Sequence, residues 1–124
     1  MYVRFVLGQA FLERRHRAGI LRDSEERRFY RRRCAARAAE IQEIFRWLNA
    51  HLPLPPEEAF SGGRGLCWFK SARGSCVERV RALALIYRTQ GARVWEIGNR
   101  NPGLITYQDE DQVVALPDSL RLLS

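Results

Sequence analysis

The five residues Gly65-Leu66-Cys67-Trp68-Phe69 offer no polar face. A strand sends successive side chains to opposite sides, so a strand that is apolar on both sides suits a central position covered on both. The segment "SARGSCVERVRALALIYRTQGA" follows. In it Cys76, Val80, Leu83 and Tyr87 form one stripe at helical spacing, with Val77 and Ala84 alongside and Gly91 as the C-terminal stop. "RVWEI" then reads as the next strand. A strand, an amphipathic helix and a strand in this order predict a right-handed parallel crossover over Leu66 to Ile97.

The remaining elements are placed around this unit. "LITYQ" and "QVVAL", joined by "DED", read as a tight hairpin, and the last three strands are expected to form an antiparallel meander. At the other end, Val3, Phe5 and Leu7 alternate with Tyr2, Arg4 and Val6, the pattern of a half-buried strand. Residues 8–20 suit a short helix or irregular turn. Asp23 or Ser24 can cap the next helix, and Asp23 with Glu26 has the reciprocal capping pattern. From there Tyr30, Cys34, Ala38, Ile41, Phe45 and Leu48 predict one long amphipathic helix of about seven turns. Pro53 prevents its continuation, and residues 53–65 form a Pro/Gly-rich internal loop. The expected architecture is a single basic α+β domain over residues 1–124, in the order β-α-β-α-β-β-β, with one hydrophobic core.

The net charge of +7 is concentrated: residues 1–50 carry twelve Arg against six acids, and the remainder is nearly balanced. Of the 21 basic residues only Lys70 is a lysine. The planar guanidinium suits phosphates and carboxylates, which points to anionic partners. A GC-rich genome would produce the same Arg excess together with the abundant Ala, so composition leaves both readings open. Cys34, Cys67 and Cys76 show no CxxC spacing. "MYVRFVL" is too short and is interrupted by Arg4 for a secretory leader, and no apolar run approaches the ~20 residues of a bilayer span. The expectation is a cytoplasmic protein with free thiols and no membrane partner.

The segment from Cys67 to Ile97, followed by "PGLITYQDEDQVVALP", resembles a group of short uncharacterised bacterial proteins. In these a similar W-F-K-x-S-A strand-to-helix junction precedes a P-G-x-x-x-Y-x-D-x-x-Q-V-V-A-x-P hairpin. The likeness covers roughly the last 60 residues and, more loosely, the helix ending "RWLNAHLP". It implies a compact domain and no catalytic activity.

Two candidate surfaces emerge from the residues themselves. The first is "RRFYRRR", where Arg27, Arg28, Arg31 and Arg32 surround Phe29. Arginines encircling a helix cannot all be buried, because an unpaired buried charge costs several kcal/mol, so this end must face solvent or an acidic partner. The second is the junction holding Lys70, Ser71, Arg73 and Ser75 at a helix start, where N–H groups and the helix dipole attract anions. It lacks the P-loop spacing, and Ser75 with Glu78 reads equally as a capping box. Cys76 lies in the same first turn but on the apolar stripe, so a thiol nucleophile competes with an inert core filler. Asp109, Glu110 and Asp111 diverge in a hairpin and suit a solvated turn better than a metal site. Trp68 and Trp95 read as core, whereas Phe29 falls off the apolar stripe. The leading expectation is a non-enzymatic binding module, without cofactor or metal, whose basic helix meets RNA, DNA or an acidic protein. The alternatives are an enzyme or sensor taking a small phosphate- or carboxylate-bearing ligand at Lys70–Ser75, and a structural subunit of an assembly.

Overall fold

The structure, a computed structural model, describes residues 1–7, 21 and 25–117. Its strands are β1 (Tyr2–Leu7), β2 (Leu66–Phe69), β3 (Val94–Asn99), β4 (Leu104–Gln108) and β5 (Gln112–Leu116). Its helices are α1 (Glu25–Arg33), α2 (Ala38–His51) and α3 (Ser75–Arg88), with 3-10 turns at Ala35–Arg37 and Glu57–Phe60. The mixed α+β composition is as expected. The helix or turn expected over residues 8–20, and the Asp23–Glu26 cap, lie outside the described residues.

The strands form one sheet in the order β3-β1-β2-β5-β4, with every neighbouring pair antiparallel. This corrects two expectations. First, β2 and β3 run in the same direction but do not pair, because β1 lies between them and is antiparallel to both. The crossover through α3 therefore spans an intervening strand. Second, the meander reduces to the β4–β5 hairpin, while β3 sits at the opposite edge. The reason in both cases is β1, which claims β3 through six registered pairs from Tyr2↔Asn99 to Leu7↔Val94. As an interior strand it is buried on both faces rather than half-buried: Val3, Phe5 and Leu7 on one side, Arg4 and Val6 on the other.

Asn99 ends β3 at one edge and Leu104 begins β4 at the other. The five residue steps between them reach roughly 18 Å at most. Four flat interstrand spacings would need about 19 Å. The sheet must therefore coil, as twisted sheets do. Tyr2 and Ile97, from one end of the strand order, accordingly pack against Leu66, Trp68, Val113 and Ala115 from the other. Within this coil β1 and β2 share a single registered pair, Val3↔Phe69. The sheet is thus two ladders, β3-β1 and β2-β5-β4, that part beyond that pair.

On the other sheet face, Val3, Phe5, Leu7, Phe69 and Val94 meet the helices. The α3 stripe is buried as its spacing predicts: Cys76, Val77, Val80, Leu83, Ala84 and Tyr87 all face inward. Complete burial of Leu83 alone contributes roughly 1.5–3 kcal/mol. The single long helix expected before Pro53 is instead broken. Cys34 (φ −93°, ψ 24°) and Arg37 (φ −116°, ψ 23°) leave the α-helical region and bracket the 3-10 turn. The break exposes Ala38, which the stripe had placed inside, and α2 buries Ile44 alongside Ile41 and Leu48. Cys34 and Ile41 both reach the core across the break, and the Cys34 thiol lies 3.7 Å from the Ile86 carbonyl oxygen. The 53–65 loop is packed rather than free. Its Ala59 is buried and accepts a 2.6 Å hydrogen bond from Thr106 Oγ1, at the register shift between Ile105 and Tyr107.

Candidate functional site

Helix α1 divides its arginines between two jobs. Arg27 and Arg31, one turn apart, place their guanidinium carbons 5.2 and 5.1 Å from the Phe45 ring centroid on α2. Arg27 also donates to the Leu21 carbonyl oxygen. These two hold α1 against α2 by cation–π contact. Arg28, Phe29, Arg32 and Arg33 face outward and are exposed. Phe29 is 45% exposed, meets Tyr30 edge-on at 5.1 Å, and has the Arg33 guanidinium 5.5 Å from its centroid. The structure thus separates the residues that "RRFYRRR" presented together. Arg28, Phe29 and Arg32 remain on the outward face, while Arg27 and Arg31 brace the helix.

Three arginines elsewhere in the helical layer have carboxylate partners. Arg37 pairs with Glu40 at 2.7 Å, Arg46 with Glu43 at 2.8 Å, and Arg81 binds both carboxylate oxygens of Glu96 at 2.8 and 3.2 Å. Among the described residues no carboxylate pairs with Arg31, Arg32 or Arg33, which fill the last turn of α1.

The second predicted surface is open to solvent. Ser71, Arg73, Gly74 and Ser75 are exposed and Lys70 is half-buried. The expected Ser75–Glu78 capping box is not formed. Gly74, at φ 130° and ψ 163°, is the N-cap, and no side chain caps the helix. The Glu78 N–H bonds the Gly74 carbonyl oxygen, and the Glu78 carboxylate lies 3.7 Å from Arg81. Ser71 instead accepts from the Arg73 N–H at 3.1 Å, while the Lys70 N–H donates to the Asp111 carbonyl oxygen. The junction gathers exposed polar groups at the start of α3.

Where β1 and β2 part, a cavity of about 670 Å³ opens. Its walls are mostly apolar and include Phe5, Phe45, Leu48, Leu52, Trp68 and Phe69. Arg4 lines it too, 3% exposed, with its guanidinium carbon 5.5 Å from the Trp68 ring centroid. Burial lowers the Arg4 pKa to about 10, and the neighbouring Cys67 acts in the opposite direction. Sequence reasoning missed this cavity because it depends on how far apart two distant strands stand. The one available signal was Arg4 itself, a charge within a strand whose other positions are apolar or aromatic.

The other candidates resolve into structural roles. The Cys76 thiol is raised by burial, reinforced by Asp111 and Asp109, so it stays protonated where a nucleophile would need to ionise. Asp109 organises the hairpin turn rather than simply being solvated. Its carboxylate accepts from the N–H groups of Asp111 and Gln112, from Tyr107 Oη and from Gln112 Nε2, at 2.8 to 3.1 Å. Trp68 is buried as expected, whereas Trp95 is only half-buried. Trp47 is occupied by His51, stacked at 4.1 Å, and by the Arg79 guanidinium at 4.8 Å. Among the described residues no cluster of His, Cys, Asp and Glu could hold a metal ion, and no helix is long and apolar enough to cross a membrane.

No protein-family model, curated protein or solved structure matches this chain.

Proposed function

We propose that this protein is a binding module that docks an anionic macromolecule on the outward face of α1, through Arg28, Arg32 and Arg33 around Phe29. The observation that carries the reading is the local charge imbalance. Arg37, Arg46 and Arg81 have carboxylate partners within the fold, whereas the last turn of α1 presents Arg31, Arg32 and Arg33 without one among the described residues. The exposed Phe29 ring favours a single-stranded nucleic acid, because every base has a face that can stack on an aromatic side chain. An acidic protein surface is the competing partner. Cations in a last helical turn also offset the helix dipole, so the test must separate binding from stability.

The test is fluorescence anisotropy with labelled single-stranded RNA, single-stranded DNA and polyglutamate, comparing wild type with the variant Arg28→Gln/Arg32→Gln/Arg33→Gln. Arg31 is spared because it stacks on Phe45. The triple variant should keep its Tm and lose at least tenfold in affinity. For a single strand the log–log salt slope should fall by roughly 0.7 for each phosphate contact removed. Preference for polyglutamate would assign the face to an acidic protein. Equal affinity of variant and wild type would refute the reading.

A second reading, a subunit of a larger assembly, is favoured by β4. This edge strand leaves Leu104 and Ile105 49% and 38% exposed, an arrangement open to strand addition. A mass from light scattering equal to one chain across a wide concentration range would count against self-assembly through β4.

A further inference from the structure

We propose that the cavity, on the side where β2 and the end of α2 line it, is a binding site for a small uncharged apolar molecule. This goes beyond docking on α1 and uses different residues. The volume of the cavity, about 670 Å³, falls within the ~300–1,000 Å³ of small-molecule sites. Such sites are lined mostly by apolar and aromatic side chains and are largely formed before a ligand arrives.

The two sheet faces contribute differently to the lining. Phe5 and Phe69 belong to the core that meets the helices, whereas Trp68 belongs to the cluster on the opposite face, to which Arg4, next to Phe5 in the strand, also points. On the helix side the walls are Phe5, Phe45, Leu48, Leu52 and Phe69. Gln112, paired with Phe69 and 4% exposed, is the buried polar side chain there. Both of its amide hydrogens are engaged, by the Pro53 carbonyl oxygen and by the Asp109 carboxylate. A charged group entering this space would give up its water and gain no donor from Gln112, which disfavours it. Glu57, exposed in the lining, disfavours an anion further.

The wall opposite α2 is set by the fold. The Pro53 and Ala59 carbonyls of the 53–65 loop are bonded by Gln112 and Thr106. Gly65 lies so close to β5 that a Cβ there would sit 2.9 Å from Val114 Cγ1. The loop is thus held against the β4–β5 hairpin, and the space beside Leu48 and Leu52 stays open.

Fluorescence titration of the whole chain with two matched dyes tests the assignment. N-phenyl-1-naphthylamine is uncharged, 8-anilino-1-naphthalenesulfonate is the same skeleton with a sulfonate, and both brighten in apolar surroundings. The uncharged dye should bind at one site, at least tenfold tighter than the sulfonate. Leu52→Trp fills the cavity from its edge, but Leu52 also packs on the core. Asn49→Trp, at an exposed helical position in the lining, is therefore a second plug that spares the core. With circular dichroism showing the fold intact, each plug should cost at least tenfold in affinity for the uncharged dye. The variant Arg28→Gln/Arg32→Gln/Arg33→Gln should bind that dye as wild type does, which separates this site from the α1 face. Sulfonate binding as tight as that of the uncharged dye would overturn the proposal. So would unchanged affinity in Asn49→Trp, or no binding of the uncharged dye at all.

Discussion

Asp109 offers the sharpest test of how the hairpin is held. Its carboxylate receives four hydrogen bonds within the β4–β5 turn, two from backbone N–H groups and two from side chains. One donor, Gln112, is 4% exposed and also ties the turn to the end of α2 through a 2.5 Å bond to the Pro53 carbonyl oxygen. Burial pushes the Asp109 carboxyl up, but these hydrogen bonds outweigh it and hold the group below the ordinary aspartate value. In Asp109→Asn a single oxygen remains. If it keeps the two backbone donors, its new NH₂ group faces Tyr107 Oη and Gln112 Nε2, and Gln112 Nε2 is then a donor meeting a donor. Hydrogen bonds to a charged acceptor are worth roughly 1.5–3 kcal/mol each. Asp109 is only half-buried, so water replaces part of what is lost, and a net cost of about 2 kcal/mol is expected. For a chain of this length that corresponds to a fall in Tm of roughly 6–10 °C.

The same substitution should change the acid limb of stability. A carboxyl whose folded pKa is depressed stabilises the protein above its unfolded value, about 3.9. That contribution is lost as pH falls below the unfolded value and through the folded one. Urea unfolding of wild type and Asp109→Asn at neutral pH and near pH 3 should therefore show the gap between them narrowing in acid. A loss under ~0.5 kcal/mol at neutral pH, the range of an ordinary surface change, would show that the turn is not held by this carboxylate. So would a gap that does not change with pH.

Two other stability predictions follow from single positions. In Gly103→Ala the new Cβ would lie 1.9 Å from the Leu116 carbonyl oxygen at φ +113°, whereas in Gly62→Ala, at φ +70°, it would meet nothing within 4 Å. Urea unfolding should show a loss of more than ~3 kcal/mol for the first and only about 1 kcal/mol of backbone strain for the second, and similar losses would contradict the close approach of β4 and β5. Tyr87 is fully buried and its hydroxyl has no partner among the described residues, so Tyr87→Phe should raise stability by about 1 kcal/mol in the same assay; a loss of that size would reveal an acceptor.

What could be read from the sequence is what depends on a short period. The α3 stripe, the apolar β2 and the β4–β5 hairpin are each specified by residues a few positions apart, and each lies where its pattern placed it. What could not be read is which strand lies beside which. Nothing within Tyr2–Leu7 names β3 as a partner roughly ninety residues away, and the preference for a parallel crossover yielded to the six pairs that β1 makes. The helix break at Cys34–Arg37 was hidden for a different reason. Cys, Ala and Arg carry no breaker signal there, and the Cys34 thiol, at the start of the turn, lies against the Ile86 carbonyl oxygen. Of the candidate surfaces, the outward set Arg28, Phe29 and Arg32 was legible because no core can accept it. The bracing of Arg27 and Arg31 was not, since Phe45 had been counted only as a core residue.

The insertion of β1 between β2 and β3 also bears on how the chain behaves while it is being made. Val3 needs Phe69 on one side and Gly98 on the other. At ~5–20 residues per second, β3 leaves the ribosome roughly 4–18 s after β1. During that interval Val3, Phe5 and Leu7 have no ladder to join, and an apolar strand with free edges is prone to pair with other chains. The strands of the β2-β5-β4 ladder wait a shorter time, because β2 and β5 lie about half as far apart in the chain as β1 and β3. The strand synthesised before the others is therefore the one that closes the sheet, and a chaperone that shields nascent apolar segments has its natural target in Tyr2–Leu7.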